Sequence, residues 1–153
     1  QRQEFHLASD AGLVLLDWFT SGRAARGERW MFDDFQSRND VFIDGRRVFV
    51  DSILLNADAG AVEAQHRAGR FNCFAMLLLI GESMREAAAT LMAEIAARPV
   101  TRNAKLLGSA SPVQNGAVLR LAGEEVETVS RELKQHLSFL TEFLGDDPWA
   151  RKW

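Results

Sequence analysis

Between Asp17 and Trp30 the chain reads DWFTSGRAARGERW, and this stretch gathers its densest set of groups able to do chemistry. Gly22 and Gly27 bracket Arg23 and Arg26, while Asp17, Thr20 and Glu28 supply oxygens. A phosphate cradle needs backbone N–H groups converging on an anion at a helix start, in patterns such as G-x-x-x-x-G-K-[ST] or G-x-G-x-x-G. GRAARGER fits neither, and an alternating apolar run from Trp30 to Phe35 follows it. Spacing leaves three readings open. The glycines can take positive φ in a plain connection whose arginines face water. Arg23 or Arg26 can pair with Glu28 or Asp17 inside a concave β-surface. Or the arginine-rich loop 22–29 can serve a small-anion-binding β-domain or enzyme.

Metal ligation and nucleophilic catalysis have less to build on. His6, His66, Cys73 and His136 are scattered, and no HxH, CxxC or HExxH spacing occurs. A transient cation path along Asp17, Glu28, Asp33 and Asp34 stays open, because such ions travel on water and oxygen ligands. Cys73 lies in an apolar run without a basic neighbour to activate it. No G-x-S-x-G elbow is present, and Asp33 and Asp34 would point apart on a strand. The residues therefore predict no enzyme and no tightly bound cofactor. His136, beside Glu132, Lys134 and Gln135, is expected on the wet side of the last helix.

Composition narrows the classes further. The 153 residues carry a formal net charge of −3, with 47% hydrophobic and 25% charged residues. That balance suits a single globular domain over residues 1–153, and gives no reason to expect nucleic-acid or acidic-membrane binding. One cysteine rules out an internal disulfide and fits a reducing, cytoplasmic setting. The longest apolar run, Phe74 to Gly81, is well short of the roughly 20 residues of a membrane span. The opening QRQEFHL, without Met, reads as the start of a fragment.

The elements that must position these groups are mostly strands. QRQEFHL puts Phe5 and Leu7 on one face, SDAG is a turn, and LVLLDWF (residues 13–19) is a strand with both faces buried. Residues 29–43 alternate as a second long strand, and Asp44-Gly45 before RRVFVDSILL marks a hairpin. Residues 56–70 read as an exposed loop with a helical turn, and residues 71–82 as a strand. Ser83-x-x-Glu86 forms a capping box for a helix whose apolar face is Met84, Ala88, Leu91, Met92 and Ile95. Two short strands, 105–108 and 117–121, flank SPVQNG. A single helix from Glu124 to Leu144 closes the pattern, ended by Gly145 and Pro148, with a stripe that serves core packing or a helical partner. The expected class is α+β, a mostly β-strand scaffold with two C-terminal helices separated by a hairpin.

The run LLDWFTSGRAARGERWMF resembles the urease accessory proteins called UreD, or UreH in some bacteria. Their motif has the form D-W-x-T-x-G-R-x-x-x-G-E-x-W, matched here by Asp17, Trp18, Thr20, Gly22, Arg23, Gly27, Glu28 and Trp30. FNCFAMLLLIGE, GAVLRLAGEEVETVSRELKQHL and the final Trp153 are similar to the family's closing part. Family members are about twice as long, so the resemblance implies the C-terminal half of such a scaffold, and residues 56–70 match poorly. It also implies a non-enzymatic maturation factor. Such a factor binds a helical UreF-like partner, the GTPase UreG through it, and apo-urease, and assists nickel insertion, in one view through an internal tunnel. On that reading Asp17, Thr20, Gly22, Arg23, Gly27 and Glu28 form an ion path or a structural polar cluster. Within it Arg23 and Glu28 are expected as a buried pair. No direct metal ligand is assigned, and nickel would bind only in transit.

Overall fold

The computed structural model of the chain describes residues 1–150, so Trp153 lies outside the described residues. Among the described residues, seven strands form two sheets, and three α-helices cover one of them. β1 (Arg2–Leu7), β3 (Asp34–Ile43) and β4 (Arg46–Asn56) make a three-stranded sheet in the order β1-β3-β4, with β1 parallel to β3. β2 (Leu13–Thr20), β5 (Cys73–Ile80), β7 (Gly116–Gly123) and β6 (Leu106–Val113) make an antiparallel sheet in the order β2-β5-β7-β6. The helices are α1 (Arg85–Ala96), α2 (Val126–His136) and α3 (Phe139–Leu144). The α+β class, with its dominant sheets and C-terminal helices, is as expected.

Side-chain alternation explains the three layers. On β5, Ala75, Leu77 and Leu79 pack with Leu119 of β7 and with Leu91 and Leu133 of the helices. The alternate residues Met76, Leu78 and Ile80 pack against Val41 and Phe49 of the other sheet. β5 is therefore apolar on both faces, and Leu77, Leu78, Leu79 and Ile80 are fully buried. β2, by contrast, is an edge strand of its sheet, half-buried along much of its length. The Asp44-Gly45 hairpin forms as read, with φ of 48° and 76°, the left-handed pair of a two-residue turn.

Several local expectations give way to tertiary contacts. The strand expected from residue 29 begins only at Asp34, because Trp30 turns inward at φ 57° and is almost fully buried. Residues 57–70 are not simply exposed: Val62 and Ala68 are buried under the rings of Phe19, Phe32 and Phe74. Ser83 makes no cap; a 3-10 turn over Glu82–Met84 leads into α1 instead. The β6–β7 strands are longer than expected and meet at a tight turn with Asn115 at φ 54°. The last helix breaks between α2 and α3, where Leu137 leaves helical geometry to pack in the core. His136 is buried rather than wet, with Nε2 2.8 Å from Glu132 Oε1 and Nδ1 3.3 Å from Glu94 Oε2.

Candidate functional site

Strand register places a row of polar residues between the two sheets. On the four-stranded sheet, Asp17 stands opposite Met76, and Met76 opposite Arg120. On the facing sheet, Asn39 stands opposite Asp51, and Ser37 lies two residues before Asn39. Period-two alternation turns all of these side chains into the gap between the sheets. Asp17 Oδ2 accepts from Ser37 Oγ at 3.0 Å and from Asn39 Nδ2 at 2.8 Å. Arg120 Nη2 donates to Asp51 Oδ1 at 2.6 Å, its own side chain half exposed while that of Asp51 is 8% exposed. Asn39 is fully buried, and its Oδ1 has no hydrogen-bond partner.

Asp17, Asp51 and Arg120 line one cavity of about 380 Å³, with walls from Phe19, Ile53 and Met76. The gap is closed at one end by the aromatic cluster of Phe19, Phe35, Phe74 and Trp30, with Phe19 and Phe35 centroids 4.5 Å apart. Its other end is filled by Leu15, Val41, Phe49 and Val118. Buried polar groups in an apolar layer persist only when hydrogen-bonded or put to use. Asp17 and Asp51 bring two acceptor-only carboxylates to the cavity, and Arg67 and Arg120 bring two cationic side chains. Among the described residues no three His, Cys, Asp or Glu side chains converge as a metal-holding group.

The glycine loop lies apart from this row. After β2, Gly22 at φ 92° and Gly27 at φ 76° bracket a 3-10 turn over Ala24–Arg26. A Cβ on Gly22 would stand 3.1 Å from the Glu28 carbonyl, so both backbone hand and space call for glycine there. Arg23 Nε meets Glu28 Oε2 at 2.5 Å, but the side chains are 67% and 40% exposed. The pair forms; the expected burial does not. Thr20, Gly22, Arg23 and Glu28 border a shallow surface groove, so of the six expected site residues only Asp17 enters the inter-sheet cavity. Asp33 and Asp34 are exposed, and Asp34 accepts from Asn56 at 2.7 Å.

The residue that fastens the loop was not singled out from the sequence. Arg29 donates Nε to Asn72 Oδ1, and Nη2 to the carbonyls of Gly69 at 2.5 Å and Phe71 at 3.0 Å. Asn72 in turn donates Nδ2 to the Glu124 carbonyl at 2.9 Å, and Ser21 N–H donates to the Asn72 carbonyl at 2.7 Å. Arg29 is thus committed to Asn72 and two backbone carbonyls and Arg23 to Glu28, while Arg26 is exposed. Cys73, in β5, is fully buried, and burial pushes its thiol up to about 11. That is the setting of a small inert hydrophobe, not a nucleophile.

Comparison with known proteins gives the arrangement its context. The chain is 47% identical over 148 residues to the urease accessory protein UreD of Sorangium cellulosum, covering 96% of this chain and 46% of that protein. It is 40% identical over 151 residues to the UreD of Anaeromyxobacter sp., covering 99% and 50%. Urease accessory protein D of Arabidopsis thaliana is 31% identical over 175 residues, covering 98% and 59%. The chain thus spans about half the length of the first two relatives. The family model described as UreD urease accessory protein matches residues 1–153, and the chain belongs to that family.

Proposed function

We propose that this chain is part of a non-enzymatic scaffold that matures urease in the cytoplasm. It engages a UreF-like helical protein, through it a UreG-like GTPase, and apo-urease, and nickel passes on its way to the urease active site. The observation that carries this reading is the family match over residues 1–153. The path we assign to the cation is the inter-sheet cavity, where Asp17 and Asp51 present oxygen ligands inside apolar walls. Two carboxylates without a third protein ligand suit a cation in transit, since a resident ion takes more. Charge is kept low, so the ion is not trapped. Among the described residues no helix is long and apolar enough to cross a membrane. Residues 1–153 act as one unit of this scaffold, with both sheets contributing to the same gap.

Co-expression with a UreF-like protein and apo-urease, followed by size-exclusion chromatography and nickel-dependent urease activation, tests the reading. Co-elution with both partners is expected. Asp17→Asn and Asp51→Asn are expected to leave co-elution intact and to slow activation. A chain that elutes alone from that mixture removes the scaffold role, and activation at the wild-type rate by both variants removes the ion path.

A further inference from the structure

We propose that two copies of this chain join edge to edge along β2, so that their four-stranded sheets run on as one. The joint needs neither a urease partner nor nickel, and so stands apart from the scaffold reading above.

Four strands end the two sheets, β1 and β4 in one, β2 and β6 in the other. An open edge is a template for another strand, and proteins guard such edges with charge, proline or bulges. β1 carries the exposed Arg2 and Glu4, paired at 2.8 Å. β4 opens with the exposed Arg46 and Arg47, and its register slips opposite Val41 and Phe42. β6 contains Pro112. β2, reading LVLLDWFT, has no arginine, lysine, proline or slip of register. Its one charge, Asp17, is turned into the gap between the sheets and held by Ser37 and Asn39. Among the described residues, the backbone of Leu13–Thr20 is hydrogen-bonded only through its pairing with β5. Alternate N–H and C=O groups therefore stand free along the outer side.

A second copy suits this edge because the edge is complementary to itself. Two identical edges meet antiparallel about a two-fold axis normal to the sheet, so residues that share a face meet each other. With Asp17 on that axis, two carboxylates would lie side by side, which is unfavourable. With Leu16 on the axis, Val14 meets the other copy's Trp18, and Leu13 meets its Phe19. That register pairs the whole run from Leu13 to Phe19, whereas an axis at Leu15 or Trp18 pairs less of it. Trp18 is 40% exposed in the single chain, and Val14 is half-buried on the same face. Their contact, made twice by symmetry, covers the indole and carries both apolar faces of β2 into the second copy. Each chain has one such edge, so the assembly closes at two.

Light scattering behind size-exclusion chromatography of the full chain is the test, and twice the mass of one chain is expected. Trp18→Lys is expected to weaken dimerisation about tenfold, because it removes two cross-strand pairs at once. Val14→Glu is expected to do the same. The double variant Val14→Glu/Trp18→Lys sets opposite charges face to face across the joint, and is expected to return to within about threefold of wild type. Within one chain these positions lie too far apart along the strand to pair, so a folding defect is not rescued this way. Leu16→Cys, mildly oxidised, is expected to give a covalent dimer, and Leu13→Cys is not. A chain that stays monomeric at every concentration overturns the proposal. So does a dimer that Trp18→Lys leaves at full strength with circular dichroism unchanged, a folded Leu16→Cys chain that does not cross-link, or growth beyond two copies.

Discussion

Arg29→Met should unsettle the glycine loop far more than Glu28→Ala, although Glu28 belongs to the family motif and Arg29 was not counted in it. The guanidinium of Arg29 makes three hydrogen bonds, to Asn72 Oδ1 and to the carbonyls of Gly69 and Phe71, in a half-buried setting. A hydrogen bond involving a charged group contributes about 1.5–3 kcal/mol net. Three would sum higher, but half-buried carbonyls can turn to water when the donor leaves, so roughly 2–4 kcal/mol is expected. For a domain of this size that is a fall in Tm of about 5–12 °C. The Arg23–Glu28 pair has both side chains at least 40% exposed. Its loss should cost below about 1 kcal/mol. Urea unfolding followed by tryptophan fluorescence reads both variants, with Trp30 as a reporter inside the loop. Arg29→Met within about 0.5 kcal/mol of wild type, the range of neutral surface changes, would refute the reasoning. So would a larger effect from Glu28→Ala.

Other outcomes follow from burial and charge. Cys73, with its thiol raised by burial and by the nearby Glu127 carboxylate, favours the protonated fold. Its contribution is whole below its ordinary 9.0 and declines as pH rises toward about 11, and Cys73→Ala should flatten that alkaline limb in a Tm-versus-pH series. Asp40 is held below the usual carboxylate range by its hydrogen bonds from Arg38, at 2.7 and 3.0 Å, so it stabilises the fold above its ordinary 3.8. That contribution is lost as pH falls below this value, and Asp40→Asn should show a shallower acid limb in the same series. Leu133→Ala, at a fully buried position between α2 and the four-stranded sheet, should lower unfolding free energy by about 2–5 kcal/mol in urea titration.

Periodicity made the strands and α1 legible, because each has one face that must be apolar. β5 was readable as a strand, but burial on both faces was expected of residues 13–19, which form the half-buried edge strand β2; three-layer packing puts that burial on β5 instead, which carries no polar residue from Cys73 to Ile80. The hairpin at Asp44-Gly45 followed from turn chemistry alone. What failed were features decided by distant contacts. Trp30 leaves the extended run because the rings of Phe32 and Phe74 offer it a buried site. His136 is drawn inside by carboxylates on two helices, Glu94 of α1 and Glu132 of α2. The polar row was hidden for the same reason. Asp17 was visible in the motif, but Asp51, Asn39 and Arg120 join it only through strand pairing, and no local spacing encodes that register.

Asn72 is a knot tied between three strings. It receives the Ser21 amide and the Arg29 guanidinium from the glycine loop, and its own amide grips the Glu124 carbonyl just ahead of α2. The glycine loop is therefore tied to the segment ahead of α2 through a single residue, apart from the hydrophobic layers. The surface groove and the start of the helix layer are thus joined by hydrogen bonds that meet at Asn72.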